Sequence, residues 1–190
     1  MNTEYILENY EFEKLTDKYE LSSFKCEDED LTDFLINDAI EQQKEKLNAT
    51  QLIVCDNIII GFVTLLADKL KLTKLPDKTK QNIKELLPKM KEAPAIKIGR
   101  FAISKEYSNK GIGTEIMKQI IGEITENISS KIGLRIIIVE GYAGAYNFYK
   151  RTNFEPLNKS KKESKKLIKA KQQNPSQTFV LYQDITKINL

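Results

Sequence analysis

The sequence predicts a mixed α/β domain, of α+β type. Short runs dense in β-branched residues alternate with amphipathic segments of helical period. Turn-forming residues separate the two kinds of segment. With 190 residues, 41% of them hydrophobic, the chain has the size of one ordinary globular domain. A chain of that length buries roughly two-thirds of its unfolded surface and needs neither disulfide nor metal to hold it. One domain over 1–190 is therefore expected.

Tyr10-Glu-Phe-Glu-Lys-Leu15 alternates apolar and charged residues and reads as a half-exposed strand. Between Asp28 and Leu47, Leu31, Phe34, Leu35 and Ala39 fall at helical spacing among many charges, which predicts an amphipathic helix. Gln51–Cys55 and Ile58–Leu66 flank Asp56-Asn57, the pattern of a hairpin of central strands. Residues 68–92 are expected to be a polar, Lys-rich insertion, a loop plus one short helix closed off by Pro88 and Pro94. Ile96–Ile103 is a strand running into the turn Lys105–Gly111, after which a helix begins. Its stripe is Ile112, Ile116, Ile120, Ile124 and Ile128, one every four residues. Leu134–Val139 has the composition of a strand buried on both faces. Gly144–Lys150 is a short helix, and Phe179–Tyr182 a closing strand reached through the Lys-rich segment 156–173.

Composition narrows the chemistry. The chain contains no histidine, so no imidazole serves as acid, base or metal ligand and no Ser-His-Asp or Cys-His system exists. Proton transfer falls to a carboxylate, Tyr, Lys, Cys, water or the substrate. Cys26 and Cys55 make neither a disulfide framework nor a structural zinc site, and no metal is expected. The longest apolar run, Ile58–Ala67, covers about half of a membrane span. The acidic, polar first ten residues do not read as a secretory signal, so the cytoplasm is the expected compartment. Residues 1–50 hold five lysines and fourteen acids, whereas 156–173 hold seven lysines and one glutamate. The basic character is local, not global.

The stretch richest in chemistry is Phe101–Thr114, where a strand meets a short loop and Gly111-Ile-Gly113 opens a long helix. Glycines there let the backbone approach a ligand closely. Amides in the first helical turn lack internal partners and suit an anion such as pyrophosphate. A Gly-x-Gly alone is also an ordinary strand-to-helix turn.

Ser108-Asn-Lys-Gly-Ile-Gly113 resembles motif A, Q/R-x-x-G-x-G/A, of the GNAT superfamily of N-acetyltransferases. Ala145-Tyr-Asn-Phe-Tyr-Lys-Arg-Thr-Asn-Phe154 is similar to the superfamily signature A-x-x-F-Y-x-x-x-G-F. Phe24-Lys-Cys26 with Leu31-Thr-Asp-Phe-Leu35, together with Ile98-Gly-Arg-Phe-Ala102, looks like the branch that includes toxin–antitoxin acetyltransferase toxins. The resemblance spans roughly residues 10–185. It implies a mixed, mostly antiparallel sheet with splayed central strands and flanking helices. It also implies acetyl-CoA as cosubstrate and direct attack by a primary amine.

By that resemblance the cofactor is held by Phe101, Ala102, Ile103, Ser108, Asn109, Lys110, Gly111, Ile112, Gly113, Thr114 and Asn147. Tyr149 would protonate the departing thiolate; its plain alternative is packing beside Phe148. Glu140, expected at a strand end, is the one carboxylate nominated as base, with a solvated charge as the alternative. Arg100 would fix a substrate phosphate or carboxylate, or else make a structural ion pair. Four departures stand out: Ser108 for Gln or Arg, Asn153 and Glu27 for glycines, and Tyr142 for Asn. Asn153 is tolerable because Asn visits left-handed conformations readily.

An α-amine, with a pKa near 7.7–8.0 against about 10.4 for lysine, is already partly neutral and needs no base. Aminoacyl-tRNA, a peptide N-terminus or a small amine is thus favoured as acceptor. Lys159, Lys161, Lys162, Lys165, Lys166, Lys169 and Lys171 would contact tRNA phosphates, or form an ordinary solvated face. The branch further implies an antitoxin partner, and the superfamily resemblance implies a homodimer. A GNAT-like protein that binds CoA or a partner without catalysis is the competing reading.

Overall fold

The computed structural model describes residues 1–188. They form two compact units, one of residues 1–66 and 98–119, the other of 67–97 and the chain from Ile120 onward. Among the described residues, seven strands, β1 (Glu11–Lys14), β2 (Ala49–Cys55), β3 (Ile58–Lys71), β4 (Glu92–Ile103), β5 (Ile136–Tyr142), β6 (Glu155–Pro156) and β7 (Thr178–Asp184), are hydrogen-bonded in the order β1-β2-β3-β4-β5-β7-β6, and β3 and β4 each have residues in both units. No helix among the described residues is long and apolar enough to cross a membrane.

The first unit opens with α1 (Thr3–Asn9), whose first turn is capped by Asn2 Oδ1 accepting from the Tyr5 amide at 2.8 Å. β1 (Glu11–Lys14) pairs antiparallel with β2 (Ala49–Cys55), Glu11 opposite Val54 and Lys14 opposite Gln51. β2 turns into β3 through Asp56 and Asn57, at φ 51° and 63°. Two consecutive left-handed residues give the primed turn whose twist matches paired strands, and Asp and Asn tolerate it best.

The helix expected over 28–47 is three pieces: α2 (Glu29–Asp33), a wide π turn at Phe34–Asp38, and α3 (Ala39–Lys44). The wide turn brings the neighbouring residues Phe34 and Leu35 both into the core, beside Leu15, Phe24, Leu52, Phe62 and Ala102. Gly61 in β3 has no Cβ to strike the Ala102 carbonyl on β4, so the two strands approach closely there.

In the second unit the expectation for 68–92 is corrected at both ends. Strand β3 continues to Lys71 and β4 starts at Glu92, leaving a 3-10 turn and α4 (Asp77–Leu86) between them. Packing decides this: Leu70 is buried in one cluster with Ala93 and Ala95, although Asp68 and Lys69 before it are exposed. The unit is completed by β5 (Ile136–Tyr142), α6 (Tyr146–Arg151), β6 (Glu155–Pro156), α7 (Lys161–Gln173) and β7 (Thr178–Asp184). β5 and β7 pair antiparallel along their whole length, from Ile136 opposite Asp184 to Tyr142 opposite Thr178. β6 pairs with β7 at Glu155 opposite Tyr182. The Asp184 carboxylate, 1% exposed, is held by Arg135 Nη2 at 3.1 Å and Thr79 Oγ1 at 3.2 Å. The isoleucine stripe lies on α5 (Ile112–Glu123) and the π turn after it, with Ile112, Ile116, Ile120 and Ile124 buried.

Candidate active site

The candidate residues divide between the units. Arg100, Phe101, Ala102, Ile103 and Ser108 to Thr114 belong to the first, and Glu140, Asn147 and Tyr149 to the second.

In the first unit, β4 ends at Ile103, Ser104 donates its amide to the Ile60 carbonyl at 2.7 Å, and a 3-10 turn at Lys105–Tyr107 leads to the loop. Asn109 and Gly111 both have positive φ, 58° and 84°, so two left-handed residues lie within three just before α5 begins. A Cβ on Gly111 would meet nothing within 4 Å, so the backbone stands open to a ligand. The amides of Ile112 and Gly113 lie in the first turn of the 12-residue α5, where a helix offers them no partner. An open glycine at positive φ beside free helix-start amides suits a pyrophosphate.

Two departures from the family pattern turn out to be one feature. The Ser108 hydroxyl lies 3.1 Å from Glu27 Oε1 and 3.1 Å from the Lys105 carbonyl, and its one proton can go to either. Lys110 folds back, donating to the Glu106 carbonyl at 2.8 Å, with its ammonium 5.8 Å from the Tyr107 ring centre. Arg100 makes no ion pair among the described residues, so the structural-pair alternative does not hold. Its guanidinium carbon stacks 3.7 Å from the centre of the Phe34 ring. One face is covered and the N–H edge is left to bind an oxyanion.

In the second unit, Tyr149 lies on α6 between the rings of Phe148 and Phe154, 5.0 and 5.8 Å away and both edge-on. The opposing surface is Gly141 of β5, where a Cβ would come 2.5 Å from Tyr149 Cε2 and 2.6 Å from Cδ2. The tyrosine ring therefore occupies space that any other residue at 141 would claim. Its hydroxyl makes no hydrogen bond among the described residues, and burial alone pushes the phenol up to about 12. Asn153, at φ 66°, closes α6 in the left-handed conformation anticipated for it, and Phe154 then donates its amide to the Tyr149 carbonyl at 3.0 Å.

Glu140 is not at a strand end. β5 runs on to Tyr142, and Glu140 stands opposite Val180 with its carboxylate 3.1 Å from Lys97 Nζ. Asn147 Oδ1 accepts from Lys171 Nζ at 2.8 Å. Lys97 and Gly141 were not singled out from the sequence. A lone glycine inside the β-branched run of β5 was the available signal for a close approach.

The fold is of mixed α+β type, with an open glycine loop at a helix start in one unit and a half-buried phenol in the other. The chain belongs to the acetyltransferase (GNAT) family, whose sequence model matches residues 10–154. It is an N-acetyltransferase that uses acetyl-CoA. Among curated proteins it is similar to a tRNA-acetylating toxin of Mycobacterium tuberculosis, 23% identical over 143 residues, covering 75% of this chain and 82% of that protein. Among solved structures it resembles a tyrosine-to-phenylalanine mutant of KacT, with a TM-score of 0.73 and 22% identity over 94% of this chain and 96% of that one. AtaT complexed with acetyl-methionyl-tRNAfMet matches with a TM-score of 0.73 and 23% identity, over 94% and 96% of the two chains. AtaTR bound with AcCoA matches at 0.65 and 20% identity, over 94% and 95%. These structural likenesses are likenesses of fold.

Proposed function

We propose that this acetyltransferase works as one domain and transfers its acetyl group to the α-amine of an aminoacyl-tRNA. The observation that carries the proposal is the state of Glu140. The one carboxylate nominated as base is tied to Lys97 at 3.1 Å, and the chain has no histidine. A site without a free base favours an amine that is partly neutral at pH 7, which an α-amine is and a lysine side chain is not. The curated relative acetylates tRNA and AtaT is seen with acetyl-methionyl-tRNAfMet, both of which support the same acceptor.

Acetyl-CoA supplies the activated thioester and, in its pyrophosphate, the anion to be bound. The amides of Ile112 and Gly113, with the open backbone at Gly111, grip that pyrophosphate. Phe101, Ala102 and Ile103 line the adjoining strand, with Ser108, Asn109, Lys110 and Thr114 around the loop and Asn147 at the start of α6. Arg100, braced on Phe34, holds an oxyanion of the acceptor. Tyr149 is the proton donor to the departing sulfur. As the new C–N bond forms and the C–S bond breaks, Tyr149 gives its proton to sulfur, the amine releases one proton to solvent, and the phenolate takes one back from solvent.

A phenol at about 12 stays protonated throughout the working pH range. It lies above a thiol near 8.5, so full transfer to a solvated thiolate would cost roughly 5 kcal/mol. Tyr149 therefore acts first by hydrogen-bonding the charge that develops on sulfur. Water exclusion, which raises the thiol as well, lets the proton follow.

The test is labelled acetyl-CoA with aminoacylated tRNA, the same tRNA stripped of its amino acid, and a lysine-rich peptide. Label is expected on the charged tRNA only, and Tyr149→Phe should slow the transfer by roughly 10²–10⁴. Label on the stripped tRNA or on lysine side chains refutes the acceptor. The relatives also support a toxin–antitoxin setting, in which an antitoxin protein is the partner.

A further inference from the structure

The Lys-rich segment folds into an element that the proposed chemistry does not use. α7 is capped by Ser160 Oγ accepting from the Glu163 amide at 3.2 Å, and it docks through Ala170 and Leu167 against Ala143, Tyr146 and Phe179. At 100° and 1.5 Å per residue, Lys161, Lys162, Lys165 and Lys169 fall within about 100° of arc on the side away from Ala170. Lys161, Lys165 and Lys169 follow one another at roughly 6 Å along the axis. All four are exposed and make no hydrogen bond, ion pair or ring contact among the described residues. The helix's other two lysines are spent internally: Lys166 on Glu163 and the Phe179 ring, Lys171 on Asn147 and the Tyr146 ring.

We infer that this four-lysine face of α7 is a docking surface for the phosphate backbone of RNA, and that it steers the acceptor tRNA to the site proposed above. Like charges one turn apart destabilise a helix, and Lys161 and Lys162 also oppose its dipole. A face meant only for solvation relieves such repulsion with interspersed acids, and Glu163 is the single acid of α7, turned away beside Lys166. An anionic partner relieves it directly.

The chemistry of the face selects among anionic partners. Lysine is depleted at protein–protein interfaces, which rely on buried aromatic and apolar anchors. The only large apolar residue beside the stripe is Ile168. A membrane-surface helix needs an exposed apolar side, whereas the apolar side of α7 is occupied by Ala143 and Phe179. Unpaired ammonium groups at regular intervals fit a run of phosphates, which demands charge without side-chain geometry. Position supports the same partner. Lys171 binds Asn147 and covers Tyr146, tying the last turn of α7 to the first turn of α6, the helix that carries Tyr149.

The inference rests on tRNA being the acceptor, and the experiment separates the two. Anisotropy of labelled deacylated bulk tRNA is measured against the full chain between about 50 and 200 mM salt. It is repeated with the Lys161→Gln/Lys165→Gln/Lys169→Gln variant, the matching triple-Arg variant, and anionic lipid vesicles as a second probe. Removing three phosphate contacts should weaken tRNA binding roughly tenfold or more and reduce the salt slope by about 2 to 3. The Arg variant should restore both. With charged tRNA the Gln variant should raise KM and leave kcat, while its turnover of a small α-amine and its thermal shift with acetyl-CoA stay at the wild-type level. Wild-type binding and slope in the Gln variant overturn the α7 surface and leave the tRNA acceptor intact. Equal losses on the small amine overturn it too, by showing a damaged fold. If wild-type protein neither binds nor acetylates charged tRNA, the acceptor reading fails and the surface with it. Lysine-dependent binding to vesicles but not to tRNA also overturns the inference.

Discussion

Replacing Gly141 by alanine tests whether the position of Tyr149 matters to the reaction. The added Cβ would sit 2.5 Å from Cε2 and 2.6 Å from Cδ2 of the ring, against an ordinary contact of about 3.5 Å. The ring must therefore move by about 1 Å. It has little room to do so, with Phe148 and Phe154 5.0 and 5.8 Å away. Overpacking of this kind typically costs about 1–3 kcal/mol of stability, and a 1 Å displacement of a reacting group costs on the order of 10²-fold in rate. The assay is release of free thiol from acetyl-CoA in the presence of an α-amine acceptor, with a denaturant midpoint measured in parallel. We expect kcat to fall about 10²-fold while acetyl-CoA still stabilises the protein, because the loop at Gly111 lies in the other unit. Epistasis sharpens the test. If Gly141→Ala acts by misplacing the phenol, adding it to Tyr149→Phe should cost little further rate. A folded Gly141→Ala protein with wild-type kcat, or fully additive losses in the double variant, would refute the reasoning.

Two further outcomes follow from the same geometry. Acetyl-CoA at a hundred times its dissociation constant should stabilise the wild type by about 2.7 kcal/mol. Gly111→Glu should abolish that gain by aiming a carboxylate at the pyrophosphate. Gly111→Ala, strained by roughly 1 kcal/mol at φ 84° but with open space around its Cβ, should keep it. A Glu variant that is still stabilised places the cosubstrate elsewhere. The phenol of Tyr149, near 10 when unfolded, is raised to about 12 in the fold. Between those values the unfolded chain has lost a proton that the folded chain retains, so this contribution is intact below pH 10 and disappears as pH rises to 12. It amounts to about 2–3 kcal/mol. Urea midpoints of wild type and Tyr149→Phe, measured from pH 9 to 11.5, should diverge; parallel curves refute the shift. Tyr182, also raised to about 12, is present in both proteins and cancels.

Local chemistry made much of the protein legible in its residues. Asp56 and Asn57 specified their hairpin because the turn needs two positive φ values and these side chains tolerate them. The isoleucine stripe marked the buried face of α5 through its period alone. Asn153 adopts the left-handed backbone its residue type allows, and Gly111, read as a glycine of a tight turn, has φ 84°. The short motifs around them carried the family, since each is a run of neighbouring residues that can be read without knowing what packs against it.

Contacts between residues far apart in sequence decided the rest. Leu70 extends β3 because Ala93 and Ala95 wait beside it, and the π turn at Phe34 answers a core that claims two adjacent side chains. The Lys-rich segment 156–173 reads along the chain as charge alone, and docking on Phe179 and Ala143 is what holds α7, so rich in like charge, as a helix. The free carboxylate expected at residue 140 became half of an ion pair when β4 placed Lys97 within 3.1 Å of it. Likewise, Gly141 acquired its meaning only once α6 laid Tyr149 across it. Periodicity and turn chemistry act over a few residues and are written along the chain, whereas the partner of a charge and the space around a ring exist only after distant segments have met.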